Sequence, residues 1–383
     1  MIPYGRQDIT QEDIDSVVEV LRSDYLTQGP AVPRFENTVR EYVGAKHGIA
    51  VNSATSALHI ACLALGLGPG DLLWTSPNTF VASANCGRYC GADIDLVDID
   101  PETLNMSVEI LESKLIEAEK VGRLPKIVIP VHFAGEPCDM LSIARLANRY
   151  GFRVIEDASH AIGAHYKGQP VGNCRYSDIT VFSFHPVKII TTAEGGMATT
   201  NNDELADRMA RLRTHGITRD PKHMTHAPDG AWYYQQIELG FNYRMTDIQA
   251  ALGASQMNRL DDYIGKRHEL AMRYDESLND FGIVTPVRDT ENRSALHLYP
   301  IQIDPRRGQR KEVFDHLRSC GIAVNVHYIP VHLQPDFAGV IPARTQCQNA
   351  VDYYNAAISL PMYATLTHSQ QDTVVSVLAE ALG

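Results

Sequence analysis

From Gly48 to about Thr200 the chain alternates short apolar runs with longer stretches of helical periodicity. The runs are Ile49–Val51, Leu72–Trp74, Ile94–Val97, Lys126–Val131, Val154–Ile155 and Ile179–Phe182. Between them, residues such as Ala57, Leu58, Ala61 and Leu65 supply one buried helix face. Strands separated by helix-length segments predict a parallel sheet with crossover helices, hence an α/β fold. Before this region, Thr10 precedes acids at Glu12 and Asp13 and apolar positions at Ile14, Val17, Val18 and Leu21, the pattern of a capped amphipathic helix. Gly29-Pro30 interrupts it, and Phe35, Val39 and Tyr42 begin a second helix. After Met245 a helix capped at Thr246 continues through Ile248, Ala251, Leu252 and Met257, with a further helical pattern to about Leu278. Beyond it, strands over Leu296–Ile303 and Ile322–Val326, with helices over Val313–Cys320 and Thr373–Leu382, suffice for a small second domain.

A chain of 383 residues exceeds what one core usually serves. The expected division is a large domain over 1–253 and a smaller one over 254–383. The net charge of -12, from 34 basic and 46 acidic residues, disfavours a nucleic-acid backbone as partner. The start, Met1 to Arg6, lacks an apolar signal core, and no run has the length of a membrane span, so a cytoplasmic protein with no membrane contact is expected. Seven scattered cysteines are read as reduced and mostly buried; Cys86 and Cys90, four apart, suit one helix face better than a zinc knuckle. No His-Glu-x-x-His or Cys-x-x-Cys occurs, and no metal is expected.

Candidate chemistry gathers in the turns after strands, where open α/β sheets bind ligands. In Ser183-Phe184-His185-Pro186-Val187-Lys188 an apolar strand runs into a turn held by Pro186 and closed by Gly195-Gly196. That setting fixes one amine in a cleft, where desolvation lowers its pKa and lets it condense with an aldehyde. Val154-Ile155-Glu156-Asp157 reads as a buried strand ending in an acid able to hold the proton of a pyridinium ring. Val51 to Leu58 passes from strand to helix through Asn52, Ser53, Thr55 and Ser56, a concentration of free N–H groups and hydroxyls that suits a phosphate. Phe80, just after a strand, can lie against a flat ring.

At these residues the chain resembles, over nearly its whole length, the fold-type-I pyridoxal 5′-phosphate enzymes of the DegT kind, which are sugar-nucleotide aminotransferases. Leu26 to Pro30, Pro77 to Phe80, Gly240 to Met245 and His327 to Pro330 belong to the same resemblance. It implies a large, mostly parallel sheet domain with helices on both faces and a smaller C-terminal α/β domain. It also implies that Lys188 is the catalytic lysine that carries the cofactor and then moves a proton. Asp157 would hold the pyridinium, Phe80 stack on it, and His160, standing where the family usually has Gln, offer an N–H to its phenolic oxygen. Thr55, Ser56 and Ser183 would bind the phosphate, joined by Asn242 from a neighbouring subunit, which makes a homodimer with shared active sites. Tyr4, Arg6, Leu26, Thr27, His327 and Tyr328 are the expected substrate contacts, and Arg6, Arg175 and Arg244 are candidates for the donor's carboxylate. Ala54 and Ala193 replace common glycines of the family.

More narrowly, Ser183 to Thr192, Thr214 to Arg219 and His327 to Pro335 resemble the branch that serves the pseudaminic acid pathway. That branch uses L-glutamate to aminate C4 of a UDP-linked 2-acetamido-2,6-dideoxy-4-hexulose. Relatives that dehydrate sugars carry His at the lysine position, so Lys188 argues against dehydration. A C3-keto sugar or the D-configured 4-keto sugar is the alternative substrate. A non-catalytic regulator that binds the same cofactor is the alternative of another class, and the chain shows no basic segment for DNA.

Overall fold

The computed structural model describes residues 1–304 and 309–383. Seven strands build the central sheet: β1 (His47–Val51), β2 (Leu72–Thr75), β3 (Asp93–Leu96), β4 (Ile127–Ile129), β5 (Arg153–Asp157), β6 (Ile179–Ser183) and β7 (Gly196–Thr200). Their spatial order is β1-β7-β6-β5-β4-β2-β3. All neighbours run parallel except β7, which is antiparallel to both β1 and β6.

Side chains alternate across this sheet. Ile49, Val51, Leu73, Ile127, Ile129, Ile155, Ile179, Val181 and Ala198 enter one core, with the first long helix after β1, α3 (Ala54–Ala64), packed upon them. Ala50, Phe182 and Met197 face the other way, against α2 (Ala31–Val43) and α8 (Asp247–Met257). Leu72, Trp74, Val128 and Val154 meet α5 (Val108–Lys120) and α6 (Met140–Tyr150) on that same far side. Both faces are therefore buried, which is why the strands read as unbroken apolar runs. Helix α1 (Gln11–Leu21) packs on α8, α4 (Ala82–Tyr89) on α3, and α7 (Asp203–Leu212) covers the β1–β7 edge.

The helical pattern after Met245 is two helices. Helix α8 stops at Met257, and α9 (Leu260–Leu278) begins after Asn258-Arg259. Leu260, Tyr263 and Ile264 still belong to the large core, whereas Leu270, Tyr274 and Leu278 enter a separate one. That second core is roofed by α10 (Arg310–Ser319), α12 (His368–Leu382) and an antiparallel pair, β8 (Tyr299–Gln302) with β9 (Ala357–Leu360), α11 (Gln348–Ala356) leading into the latter. The expected strand over Ile322–Val326 shortens to Ile322–Ala323, paired in parallel with Ile2–Pro3, so the N-terminus is fastened to the C-terminal part. All seven cysteines are free; Cys320 alone is exposed. Among the described residues no helix is long and apolar enough to cross a membrane.

Arg267 of α9, 2 % exposed, ties that helix to the second core. Its guanidinium donates to the carbonyls of Leu296 (3.1 Å), His297 (3.2 Å) and Met362 (3.0 Å). Removing it strands three buried acceptors. Arg267→Met is expected to lower the unfolding free energy by about 1–3 kcal/mol in a urea titration; an unchanged or raised stability contradicts this role.

Candidate active site

Strands β5 and β6 are parallel neighbours, with Asp157 opposite Val181, so their carboxyl ends open on the same side. Asp157 closes β5. Strand β6 ends at Ser183, and the chain turns through His185–Lys188, where the Lys188 N–H donates to the His185 carbonyl at 2.9 Å. The return is stitched to the strand end: Thr192 N–H and Thr191 Oγ1 both donate to the Phe184 carbonyl, at 2.9 and 3.0 Å. Buried Ile189 and Ile190 pull the loop inward. Ala193, where the family commonly has Gly, takes φ 65° inside this loop, a left-handed conformation in which a methyl costs about 1–2 kcal/mol. These bonds hold Lys188 in place. Burial brings its amine down to about 8, and the nearby Asp157 charge opposes the fall.

Asp157 is 5 % exposed. One oxygen accepts from Ser83 Oγ at 2.6 Å and the other from the Ser159 N–H at 3.1 Å. Ser83 lies on α4 and meets Thr79 Oγ1 at 2.7 Å, so the segment bearing Phe80 is tied to the acid. Behind it, Glu156 points to the opposite face. There the Cys138 N–H donates to His132 Nδ1, which leaves His132 Nε2–H to donate to Glu156 at 2.8 Å. Sequence reading missed Ser83; its signal was a hydroxyl three residues past Phe80 at the start of a helix.

The expected phosphate seat is the start of α3. Ser53 caps it, accepting from the Ser56 N–H at 3.1 Å, while Ser56 Oγ donates to Asn52 at 2.7 Å. The Ser56 hydroxyl is thus engaged in the turn, and Thr55 is the half-exposed hydroxyl beside it. A Cβ on Gly196 would lie 2.4 Å from the Ala54 nitrogen, so glycine is required for β7 to approach this helix end. Gly196 pairs with Ser183, which brings that hydroxyl to the same place. Ala54 is the first helical residue, where glycine is not needed.

The remaining residues divide into two groups. His160 (5 % exposed) and Tyr328 share a hydrogen bond of 3.0 Å, and His327 Nδ1 bonds Ser359 Oγ at 2.8 Å. Burial and then the Lys188 charge drive His160 far below its ordinary range and His327 down to about 3, so both stand neutral beside Lys188. The Tyr4 ring lies 5.3 Å from that of His327, tilted by 51°, and the adjacent Gly5 lies against Val187. Phe80 is 61 % exposed, an aromatic face left open. By contrast, Thr27 bridges Thr246, and the Leu26 carbonyl accepts from the Asp247 N–H, which places this loop at the start of α8. Asn242 is exposed on a strand-like stretch bridged to Thr214, and Arg6 and Arg175 point to solvent. His297, not singled out from sequence, lies in the wall with its ring 4.4 Å from that of His160.

A parallel sheet with its ligand end formed by a desolvated lysine, a buried acid one strand away and a helix N-terminus defines a fold-type-I site for an aldehyde cofactor that carries a phosphate. The chain belongs to the DegT/DnrJ/EryC1/StrS aminotransferase family, whose model matches residues 7–379. It is 38 % identical over 386 residues, 99 % of this chain and 98 % of the other, to the UDP-4-amino-4,6-dideoxy-N-acetyl-beta-L-altrosamine transaminase of Campylobacter jejuni. Helicobacter pylori PseC, an aminotransferase involved in the biosynthesis of pseudoaminic acid, superposes with a TM-score of 0.91 at 30 % identity, covering 100 % of this chain and 99 % of that one. Spr1654 of Streptococcus pneumoniae, solved in a PLP form, superposes at 0.89 with 30 % identity, covering 99 % and 98 %. The cofactor is pyridoxal 5′-phosphate. The donor set fits it: an amine for the aldehyde, a buried acid for the ring nitrogen and a helix end with hydroxyls for the phosphate.

Two outcomes follow from this geometry. In the cofactor-free protein, acylation of Lys188 by an amine-selective reagent, followed by peptide mass spectrometry, should rise with a midpoint near pH 8, the unprotonated amine appearing above it. A midpoint near the ordinary 10.5 contradicts the buried setting. Ser83→Ala removes a donor to Asp157 and is expected to weaken pyridoxal phosphate binding about tenfold, read by absorbance titration.

Proposed function

We propose that the protein is a homodimeric aminotransferase that moves the amino group of L-glutamate to C4 of UDP-2-acetamido-2,6-dideoxy-β-L-arabino-hex-4-ulose, giving UDP-4-amino-4,6-dideoxy-N-acetyl-β-L-altrosamine. The observation that carries the aminotransferase part is the Lys188 amine, brought to about 8 beside the buried Asp157. The choice of sugar draws on the whole-length similarity to the Campylobacter transaminase and to PseC.

Bound pyridoxal phosphate supplies an electron sink for the bonds at the amino-bearing carbon. Lys188 attaches it and, once released, is the base and acid that moves the proton. An amine near 8 is close to half unprotonated at mildly alkaline pH, which suits it to both directions of transfer. Asp157 is fixed by Ser83 and Ser159 so that one carboxylate faces the ring nitrogen without moving between steps. Phe80 orients the ring plane. Thr55 and Ser183, with the N-terminus of α3 that Ser56 helps to shape and the partner subunit's Asn242, hold the phosphate. Tyr4, His327 and Tyr328 line the wall on the substrate side, and the exposed loop with Leu26 and Thr27, together with Arg6, is the second side of that entrance. The neutral state of His160 and His327 keeps further positive charge away from Lys188.

Lys188→Ala is expected to lose at least about 1000-fold in 2-oxoglutarate formation from L-glutamate; turnover within tenfold of the parent protein would overturn the assignment. Chromatography and NMR of the sugar product test the substrate: the C4 amine of the L-altro sugar is expected, and exclusive turnover of a C3-keto or D-configured sugar contradicts that choice. Shared active sites predict complementation. Mixing Lys188→Ala with Asn242→Ala subunits, each of low activity alone, should regenerate about a quarter of parental activity through heterodimers; no recovery after verified subunit exchange opposes sharing.

A further inference from the structure

A cavity of about 510 Å³ opens where the starts of α5 and α6 meet the segment 287–292, and none of its lining residues belongs to the cleft around Lys188. Glu136, in the loop between β4 and α6, lines it. Glu136 is 8 % exposed, and both of its carboxylate oxygens are buried with no hydrogen-bond partner among the described residues. The Ser294 hydroxyl and the Asp289 backbone stand near without completing a bond. The loop is held in place, since the Gly135 carbonyl accepts from the Ala295 N–H at 3.0 Å and the Ala134 carbonyl from the Leu298 N–H at 3.3 Å.

A buried carboxylate left without donors is costly, and a counter-ion or a proton relieves it. The bases beside Glu136 are committed to other acids, Lys167 to Glu291 at 3.1 Å and Arg288 to Asp275. Asp100, Glu109, Asp139 and Asp289 border the same cavity. Each accepts from neutral donors, as Asp139 does from the Tyr166 hydroxyl at 2.6 Å and Asp289 from the Glu291 N–H at 2.8 Å. The walls therefore call for a cation. A metal ion does not fit, because among the described residues no three His, Cys, Asp or Glu gather to hold one. The helix starts of α5 and α6 offer little to an anion, since Ser107 and Asp139 already cap them. Met106, Val108 and Val287 give the cavity an apolar side, against which the carbon chain of an organic cation can lie.

We propose that this cavity is a binding site for a small aliphatic ammonium ion, whose N–H pairs with the Glu136 carboxylate and whose chain covers Met106, Val108 and Val287. The site is separate from the transamination centre and does not depend on which sugar is aminated. Its occupancy is linked to pH. Burial pushes the Glu136 carboxyl up to about 7; the Asp289 charge adds to the rise, while Ser294, Arg288 and the Asp289 backbone offset it in part. At pH 8 the carboxylate is ionised and the ammonium, which titrates in the range of a lysine, keeps its proton. At pH 6 the carboxyl is mostly protonated, and affinity falls about tenfold.

The test is calorimetric titration of the pyridoxal phosphate-loaded protein with N,N-dimethylbutylamine. As a tertiary ammonium it keeps one N–H for the carboxylate and cannot condense with the cofactor's aldehyde. Saturable binding of one molecule per chain is expected at pH 8, about tenfold weaker at pH 6, and at least about tenfold weaker in Glu136→Gln. Methionine labelled with 13C at its methyl locates the ligand: the Met106 resonance, assigned through Met106→Leu, should shift during the titration while that of Met362 in the second core stays in place. Binding that does not saturate, or that neither Glu136→Gln nor pH alters, overturns the proposal as attraction to an acidic surface. Saturable binding that leaves the Met106 resonance unmoved overturns it as well. Where Glu136→Gln does not fold, the pH dependence and the Met106 shift of the parent protein decide.

Discussion

The structure depends on holding a half-buried, desolvated amine, Lys188, and a buried carboxylate, Asp157, at or beyond the carboxyl ends of two adjacent strands. Burial lowers the amine to about 8, and the acid limits that fall. Neither group holds its position alone. Lys188 is placed by a loop bonded back to Phe184 and weighted by Ile189 and Ile190; Asp157 is placed by Ser83 from α4 and by the Ser159 backbone. The sheet supplies the rigid frame, because β5 and β6 are central strands covered on both faces.

The same frame explains why the other parts arrive where they do. Strand β7 runs antiparallel into Gly196, whose missing side chain admits the start of α3, and Ser183 comes alongside through the β6–β7 register. Tyr328 N–H donates to Asn78 and Val331 N–H to the Pro77 carbonyl, so the C-terminal segment is latched to the loop that carries Phe80. Arg267 ties α9 to Leu296 and Met362 of the second core. The cleft wall is therefore assembled from both cores.

Much of this was legible in the chain. Strands buried on both faces announce themselves as apolar runs; Asp157 was visible because it ends one, and Lys188 because it follows another through a turn held by Pro186. Strand β7 was not, since Gly196-Met197-Ala198-Thr199-Thr200 carries small and polar residues that are buried only through its neighbours. The helix capped at Thr246 was legible as far as Met257, and the further helical pattern to about Leu278 is α9. Ser83 and His297 escaped notice for a different reason: their partners lie 74 and 137 positions away along the chain, and no local pattern encodes a contact made by tertiary packing. Ser56 reads from the sequence as a phosphate hydroxyl, whereas in the structure that hydroxyl serves Asn52.

The most direct measurement is the visible absorbance of the pyridoxal phosphate-loaded protein through one complete cycle. L-Glutamate alone should bleach the band, and the UDP-linked L-configured 4-keto-6-deoxy sugar added afterwards should restore it. A protein that binds the cofactor yet gives a spectrum indifferent to every amino donor would contradict the claim that Lys188 and Asp157 form an aminotransferase centre.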